Sequence, residues 1–438
     1  MMGLSIVCVF SFKFFYIKKN DLYMNLPAKT MLEKLNPMKY GILLTKRGLL
    51  LTIIFSFVFY TSYFVFFLYV PQYFIPVGNN RLTIQASFNF VIAIALLLVS
   101  FFVHKINKLR AIYACSIATS IFAVLLLLVS MDVFRLVFIF VIAIFFSAGQ
   151  LAFLIYFWNL TGSEERGRVA GLDGFFSLMI YTVIYATVAQ NFDFNGAVIL
   201  GIAFSLGPLT VALLKPEKKM LTTKKDKLGY YFEKRTIFLY LIPWILFSLI
   251  NATLAKNISF QISQQVLPSL YVFLIILQGI GTIFGTLAGG VTADFFGRRA
   301  ALAFSLTLYG ISSALAGIAN YNLLYFVYIA NGFSWGILLA MYTFVIWGDL
   351  SNKENCAKMY AIGFAIFYLT QGIGLLPLEQ IFQIPLVVSA LGSCLLIFLS
   401  NIPIFLAPEL LPSDFRERIR LKLHMNAVKK IRRSQNQG

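Results

Sequence analysis

The stretch LAGGVTADFFGRRAALAF (Leu287–Phe304) sets Asp294, Arg298 and Arg299 within six residues, between two apolar runs, in a chain only 12% charged. Around it the sequence is overwhelmingly apolar. The chain is 60% hydrophobic, contains 46 Phe and has a mean hydropathy of +0.83, well above the roughly 45–50% apolar share of soluble domains. Runs of about 20 apolar residues, each able to cross a hydrocarbon core of about 30 Å, recur at about 48–70, 82–103, 111–130, 134–158, 169–190, 195–214, 236–256, 268–290, 300–319, 322–347, 358–377 and 385–407. A lipid-exposed backbone must close its hydrogen bonds within each segment. The expected fold class is therefore an all-α integral membrane protein of twelve transmembrane helices, and the quoted stretch is the turn between spans eight and nine.

A net charge of +19 suggests nucleic acid until the charges are located. All the lysines and arginines except Arg81, Arg135 and Lys256 fall in the two terminal segments or in alternate loops. Such a bias is the positive-inside pattern, and it places both termini in the cytoplasm. The basic tails then read as topology signals and contacts with anionic lipid, with no nucleic-acid partner. Cys8, Cys115, Cys356 and Cys394 are scattered and the histidines are His104 and His424 alone, so neither a metal site nor a disulfide framework is expected. The opening LSIVCVFSFKFFYI is interrupted by Lys13 and lacks a small-residue cleavage site. It reads as an interfacial segment, or as an upstream extension of a chain starting at Met24.

The basic loop Lys215–Arg235 divides six spans from six, and the two halves repeat. SFFVHKINKLR (Ser100–Arg110) lies on GVTADFFGRRA (Gly290–Ala300), with Ser100 on Gly290, His104 on Asp294, Asn107 on Gly297 and Lys108 on Arg298. Farther on, Trp158 falls on Trp347 and Gly174 on Gly363, with the offset changed by a single residue. The domain plan is a cytoplasmic segment 1–47, a six-helix bundle 48–214, a linker 215–235, a second bundle 236–407 and a basic tail 408–438. Paired parallel halves are a known transporter architecture. GGVTADFFGRRAA resembles the G-x-x-x-D-x-x-G-R-[RK] loop of the major facilitator superfamily, whose members carry it between spans two and three and, more weakly, between eight and nine. Here the stronger copy is in the second half. A further family element is an acid followed seven residues later by arginine, after spans four and ten. The first half keeps Arg166 but has Asn159 for the acid; the second keeps Asp349 but has Cys356 for the arginine.

The resemblance implies two pseudo-symmetric six-helix bundles and a gating set of Gly290, Asp294, Gly297, Arg298, Arg299 and Asp349, with His104, Lys108 and Arg166 from the first half. In the turn itself, Gly297 takes a positive φ cheaply, and Asn107 is the next most tolerant residue at the equivalent place. Arg298 and Arg299 are expected at the lipid surface. Family packing sets span eight on span five across the halves, which implies that Asp294 meets the start of span five near Arg166 and Arg168 while Arg298 pairs with Asp349. These contacts would latch the cytoplasmic side in an outward-facing state; the plainer reading is that the charges fix only topology and a turn. Gly281, Gly285 and Gly289 give span eight a small-residue packing face.

Polar groups at membrane depth usually face the bundle interior. Amides fall inside spans two, four, five, seven, eight, ten and eleven, which line the family's cavity, and not well inside its supporting spans three, six, nine and twelve. Depth along each span selects Tyr60, Gln150, Tyr181, Asn251, Gln278, Trp335, Tyr368 and Gln371, with Trp244 slightly shallower and Asn331 beside them, as substrate-binding candidates. Interhelical hydrogen bonding and aromatic packing are the alternative reading for each. No Lys or Arg is expected deep in a span, which argues for a neutral solute such as a sugar or polyol. Asp173, the one acid clearly inside a span, is the proton-coupling candidate, the alternative being a salt bridge to the loop cations. The expectation is a monomeric, cofactor-free cell-membrane transporter of a small organic solute, by symport or facilitated diffusion. Its rivals are proton-coupled efflux of amphipathic compounds and, more distantly, a membrane enzyme or sensor; the scattered Cys and His supply no catalytic cluster for an enzyme.

Overall fold

A computed structural model of the protein describes residues 44–70, 81–129, 131–191, 193–212, 234–376, 381 and 383–412. Every one of the apolar runs is helical, and no strand occurs among the described residues. The helices are α1 (Lys46–Tyr63), α2 (Arg81–Ser100), α3 (Lys108–Leu128), α4 (Asp132–Leu160), α5 (Arg166–Asn191) and α6 (Phe194–Ser205, resumed at Gly207–Ala212). There follow α7 (Lys234–Ala252, resumed at Leu254–Gln265), α8 (Pro268–Phe296), α9 (Arg298–Ala316), α10 (Tyr321–Ala340), α11 (Cys356–Leu375) and α12 (Leu386–Leu406). Among the described residues nine helices are long and apolar enough to cross a membrane. Those at the expected spans five, six and eleven are not among the nine. The expected linker lies outside the described residues except Lys234 and Arg235, which already belong to α7; most of both terminal segments lies outside them too.

Local chemistry sets the helix starts. Thr45, Asp193 and Asn320 each accept a backbone N–H from the first turn of α1, α6 and α10, satisfying donors a helix start leaves open. Pro268 occupies the first turn of α8, where its missing N–H costs nothing. Two helices carry π-wound segments: α1 continues into Phe64–Tyr69, and α10 into the buried Met341–Val345 before a last turn, Ile346–Asp349.

One expectation is corrected here. Span seven was expected to end at about 256, with Lys256 at its end; α7 instead breaks at Thr253 (φ −122°, ψ −86°) and runs on to Gln265. The polar continuation is held by α12 and the residues before it. Asn257 donates to the Ile384 carbonyl at 2.8 Å and to Ser389 Oγ at 2.6 Å, and Gln261 donates to Asn257 Oδ1 at 3.1 Å. Amides that look like a loop are satisfied within a helix pair.

Packing repeats with the sequence. In the first half α1 packs on α5 and α6, α2 on α4, and α3 on α4 and α6; in the second, α7 packs on α11 and α12, α8 on α10, and α9 on α10 and α12. Each pair recurs six helices later. Across the halves α5 packs on α8, and the equivalent α11 packs on α2. The α8–α10 contact is built from glycine: a Cβ on Gly281 or Gly285 would strike the carbonyls of Ile329 and Phe333, and one on Gly336 the carbonyl of Thr282. Backbones approach that closely only where side chains are absent. Gly285→Leu is expected to lower stability by about 1–3 kcal/mol or more through overpacking, read as a fall in melting temperature of the detergent-solubilised protein.

Candidate functional site

Where α4 meets α5, α8 meets α9 and α10 meets α11, three arginines and two aspartates form an alternating chain. Arg168 Nε lies 2.9 Å from Asp294 Oδ2, and Arg298 Nη1 lies 2.7 Å from Asp294 Oδ1. Arg298 Nε then reaches Asp349 Oδ2 at 2.8 Å, and Arg166 pairs with Asp349 Oδ1. No side chain of the five is more than 5% exposed. Ions withdrawn from water are tolerated only where partners surround them, and these have them. Arg298 donates also to the carbonyls of Ala293 and Ser163, and Arg166 to the carbonyl of Thr161.

Asp294 does two jobs. Besides its ion pairs it accepts the backbone N–H groups of Gly167 at 3.0 Å and Arg168 at 2.8 Å. It thereby caps α5 from another helix, against the positive end of the α5 dipole. That approach requires glycine: a Cβ on Gly167 would collide with the Asp294 carboxylate, and one on Gly290 with the Gly167 carbonyl. Gly297 lies at φ +107° and ψ +157°, a region essentially restricted to glycine. With no side chain there to cap α9, Glu409 does so from beyond α12, accepting Arg298 N–H at 2.8 Å and Arg299 N–H at 3.2 Å.

The split acid–arginine element is reassembled between the halves, since the surviving Arg166 of the first pairs with the surviving Asp349 of the second. Other members of the expected gating set behave differently. Arg298 is fully buried rather than at the lipid surface, because two carboxylates hold it inside; Arg299 is exposed. Lys108 donates to the carbonyls of Val103 and Ile106 in its own turn. Asn107 does not take the left-handed conformation. At φ −63° it caps α3 by accepting the Arg110 N–H at 3.3 Å, since its side-chain oxygen makes a conventional cap available. The side chain of His104 lies outside the described residues.

Toward the membrane centre from this network, Phe153 and Phe157 of α4 pack on Phe344 of the α10 π segment, with ring centroids 6.2 and 4.7 Å apart. Beyond that aromatic layer Tyr368 donates to Gln150 Oε1 across the halves at 3.2 Å, about 18 Å along α11 at 1.5 Å per residue. The Tyr63 ring lies tilted against that of Tyr368 at 5.4 Å, and Tyr63 donates to Asn89 Oδ1 at 3.0 Å. Gln371 Nε2 is buried without a hydrogen-bond partner among the described residues, and Tyr60 lies beside Thr343. Tyr63 and Thr343 were not expected members, although Tyr63 sits one turn beyond Tyr60 on the same face of α1.

The remaining expected binding residues gather elsewhere. Asn251, Gln278 and Asn331 line a cavity of about 220 Å³ within the second half, together with Lys256. Trp335 donates to Asn251 Oδ1 at 3.0 Å, and Gln278 donates to Asn331 Oδ1 at 2.9 Å. Trp244 spends its N–H on the Gly363 carbonyl at 2.7 Å and stacks on Tyr342 at 4.5 Å, so only its ring is left for other contacts. The side chain of Tyr181 lies outside the described residues. Lys256, at the end of the expected span seven, stands within the continued α7 and adds a cation to the lining of this cavity. Asp173 is not bridged to the loop cations: Thr52 Oγ1 lies 2.9 Å from Asp173 Oδ1 and Ser56 Oγ 3.5 Å from Asp173 Oδ2, and Asp173 forms no ion pair among the described residues.

Compared by sequence, the chain matches no family model and no curated protein. Compared by structure, it resembles the human organic anion transporter MFSD10 (TETRAN), at 11% identity and a TM-score of 0.64 over 81% of this chain and 97% of that one. It also resembles the transporter FucP in its outward conformation, at 12% identity and a TM-score of 0.62 over 82% and 98% of the two chains. A double-tryptophan mutant of XylE aligns at 13% identity and a TM-score of 0.65 over 85% and 98%. The protein has the all-α membrane fold of the major facilitator superfamily.

Replacing one carboxylate strands its arginines, and breaking a buried pair costs about 3–5 kcal/mol. Asp294→Asn is expected to open the network end, measured as longer spin-label distances between the α4–α5 and α10–α11 turns. For the Arg166–Asp349 pair, the double exchange R166D/D349R is expected to recover part of the melting temperature lost by either single variant.

Proposed function

We propose that the protein is a secondary carrier that moves a small organic solute across the cell membrane by rocker-switch alternating access. The observation carrying this reading is the five-residue network. It ties α4–α5 of one half to α8–α9 and α10–α11 of the other at helix ends alone, so the halves part there when its ion pairs break together. Behind it the Phe153–Phe157–Phe344 rings form an apolar layer that would bar water, and the Gln150–Tyr368 bond then joins the halves where a solute would sit. Both the MFSD10 and FucP structures are of transporters with this fold. In this reading the bias of Lys and Arg to alternate loops supports a cytoplasmic network end, which the ion pairs would hold closed in an outward-facing state.

Proton coupling falls to Asp173. Thr52 has one hydroxyl hydrogen and two acceptors within 2.9 Å, the Leu49 carbonyl and Asp173 Oδ1. When Thr52 serves Leu49, a protonated Asp173 can donate to Thr52; when Asp173 is charged, Thr52 turns to it. Both protonation states keep a hydrogen bond inside the α1–α5 contact, which suits a group that loads and unloads a proton.

Reconstituted in liposomes, the protein is expected to mediate saturable flux of a solute identified by ligand-dependent thermal stabilisation. A flux indifferent to D294N and to F344A would remove the gate from the mechanism. Asp173→Asn is expected to abolish stimulation by a pH gradient while leaving exchange intact; gradient-driven accumulation that survives the substitution assigns coupling elsewhere.

A further inference from the structure

Lys256 is half-buried on the second piece of α7, just past the break at Thr253, and lines the cavity of about 220 Å³ formed between α7, α8, α9 and α10. No aspartate or glutamate lines that cavity, and Lys256 forms no ion pair among the described residues. An ammonium group at membrane depth without a counter-ion is costly. A discontinuous helix flanked by polar residues on both pieces is how membrane carriers present a solute site.

The other groups complete a half-built anion site. Asn251, on the near side of the break, has its oxygen occupied by Trp335, which leaves its NH2 as donor. Gln278 donates to Asn331 and Asn331 in turn to Ser312 Oγ at 3.5 Å, so that chain of amides is fixed from behind. Ile258 and Ile262 of α7 and Val327 of α10 supply the apolar part of the lining. A cavity of about 150 Å³ accepts benzene, so this one suits a solute of roughly ten non-hydrogen atoms.

We propose that this cavity binds a small monocarboxylate, its carboxylate paired with Lys256 and the Asn251 amide and its apolar body laid along Ile258, Ile262 and Val327. This deepens the carrier reading and rests on it for the passage of the solute across the membrane, but not for binding.

The test uses the full-length protein in nanodiscs and a panel of monocarboxylates of eight to twelve non-hydrogen atoms, phenylacetate among them, each matched with its neutral amide. Calorimetric titration is expected to show carboxylates binding about tenfold or more tighter than their amides. Lys256→Met is expected to abolish that preference and Lys256→Arg to retain it, with both variants checked for a wild-type melting profile. The proposal is overturned if no carboxylate binds, if acids and amides bind alike, or if K256M keeps the preference. Liposome flux of the best binder separates the two readings. Lys256-dependent binding without flux leaves the site standing and removes the carrier; flux of uncharged solutes without carboxylate binding does the reverse.

Discussion

Arg298 is an arginine with no exposed surface, between Asp294 four residues behind it and Asp349 on another helix, and the architecture around it follows from keeping it there. A guanidinium offers five donors in a fixed plane, and here they go to two carboxylates and two backbone carbonyls. Meeting that demand brings the ends of α4, α8 and α10 to one point. Asp294 is drawn to the start of α5, which is possible only because Gly167 and Gly290 let the two backbones close. The turn at Gly297 must aim Arg298 inward, so the chain adopts a conformation that glycine alone tolerates. The cap which that glycine cannot supply comes from Glu409. Each accommodation is small, and each is local to one end of the helices.

The two halves share a packing plan but no longer a chemistry. In the first, Asn107 caps its own helix and Lys108 donates to carbonyls of its own turn, while Lys358 of α11 lies over the Phe101 ring of that connection at 5.6 Å. In the second, the equivalent turn depends on residues from three other places. The acid–arginine element is divided the other way, with Arg166 in the first half and Asp349 in the second, and the two meet across the interface.

Much of this was legible in the residues themselves. Apolar runs located α1 to α12 but not the polar second piece of α7, and Asp294, Arg298 and Arg299 marked a charged turn because charge is so scarce elsewhere. The resemblance to a known loop then told which helices to bring together. What escaped reading did so for definable reasons. Glu409 is one acid in a plain segment after α12, and only the fold places it over α9. Lys256 sits among Asn257, Gln261 and their neighbours, whose polarity imitates a loop until α12 is there to bond them. Asn107 was ambiguous because asparagine suits a left-handed turn and a helix cap equally. The cavity in the second half pools residues from four helices, and no linear pattern reports such a meeting.

The π-wound segment Met341–Val345 lies in α10 between the glycines that mesh with α8 and the aspartate that holds two arginines. A π turn accommodates one residue more than an α turn. The segment therefore works as a phase adjuster. It decouples the angular setting of Asp349 from that of Gly332 and Gly336, which α8 dictates. Rewinding it to α geometry would swing Asp349 by about 100° around the helix axis, one residue's worth of rotation, while the glycine seam stayed in register. The strength of the ionic end of this molecule is thus indexed to the winding of a few buried residues well inside it.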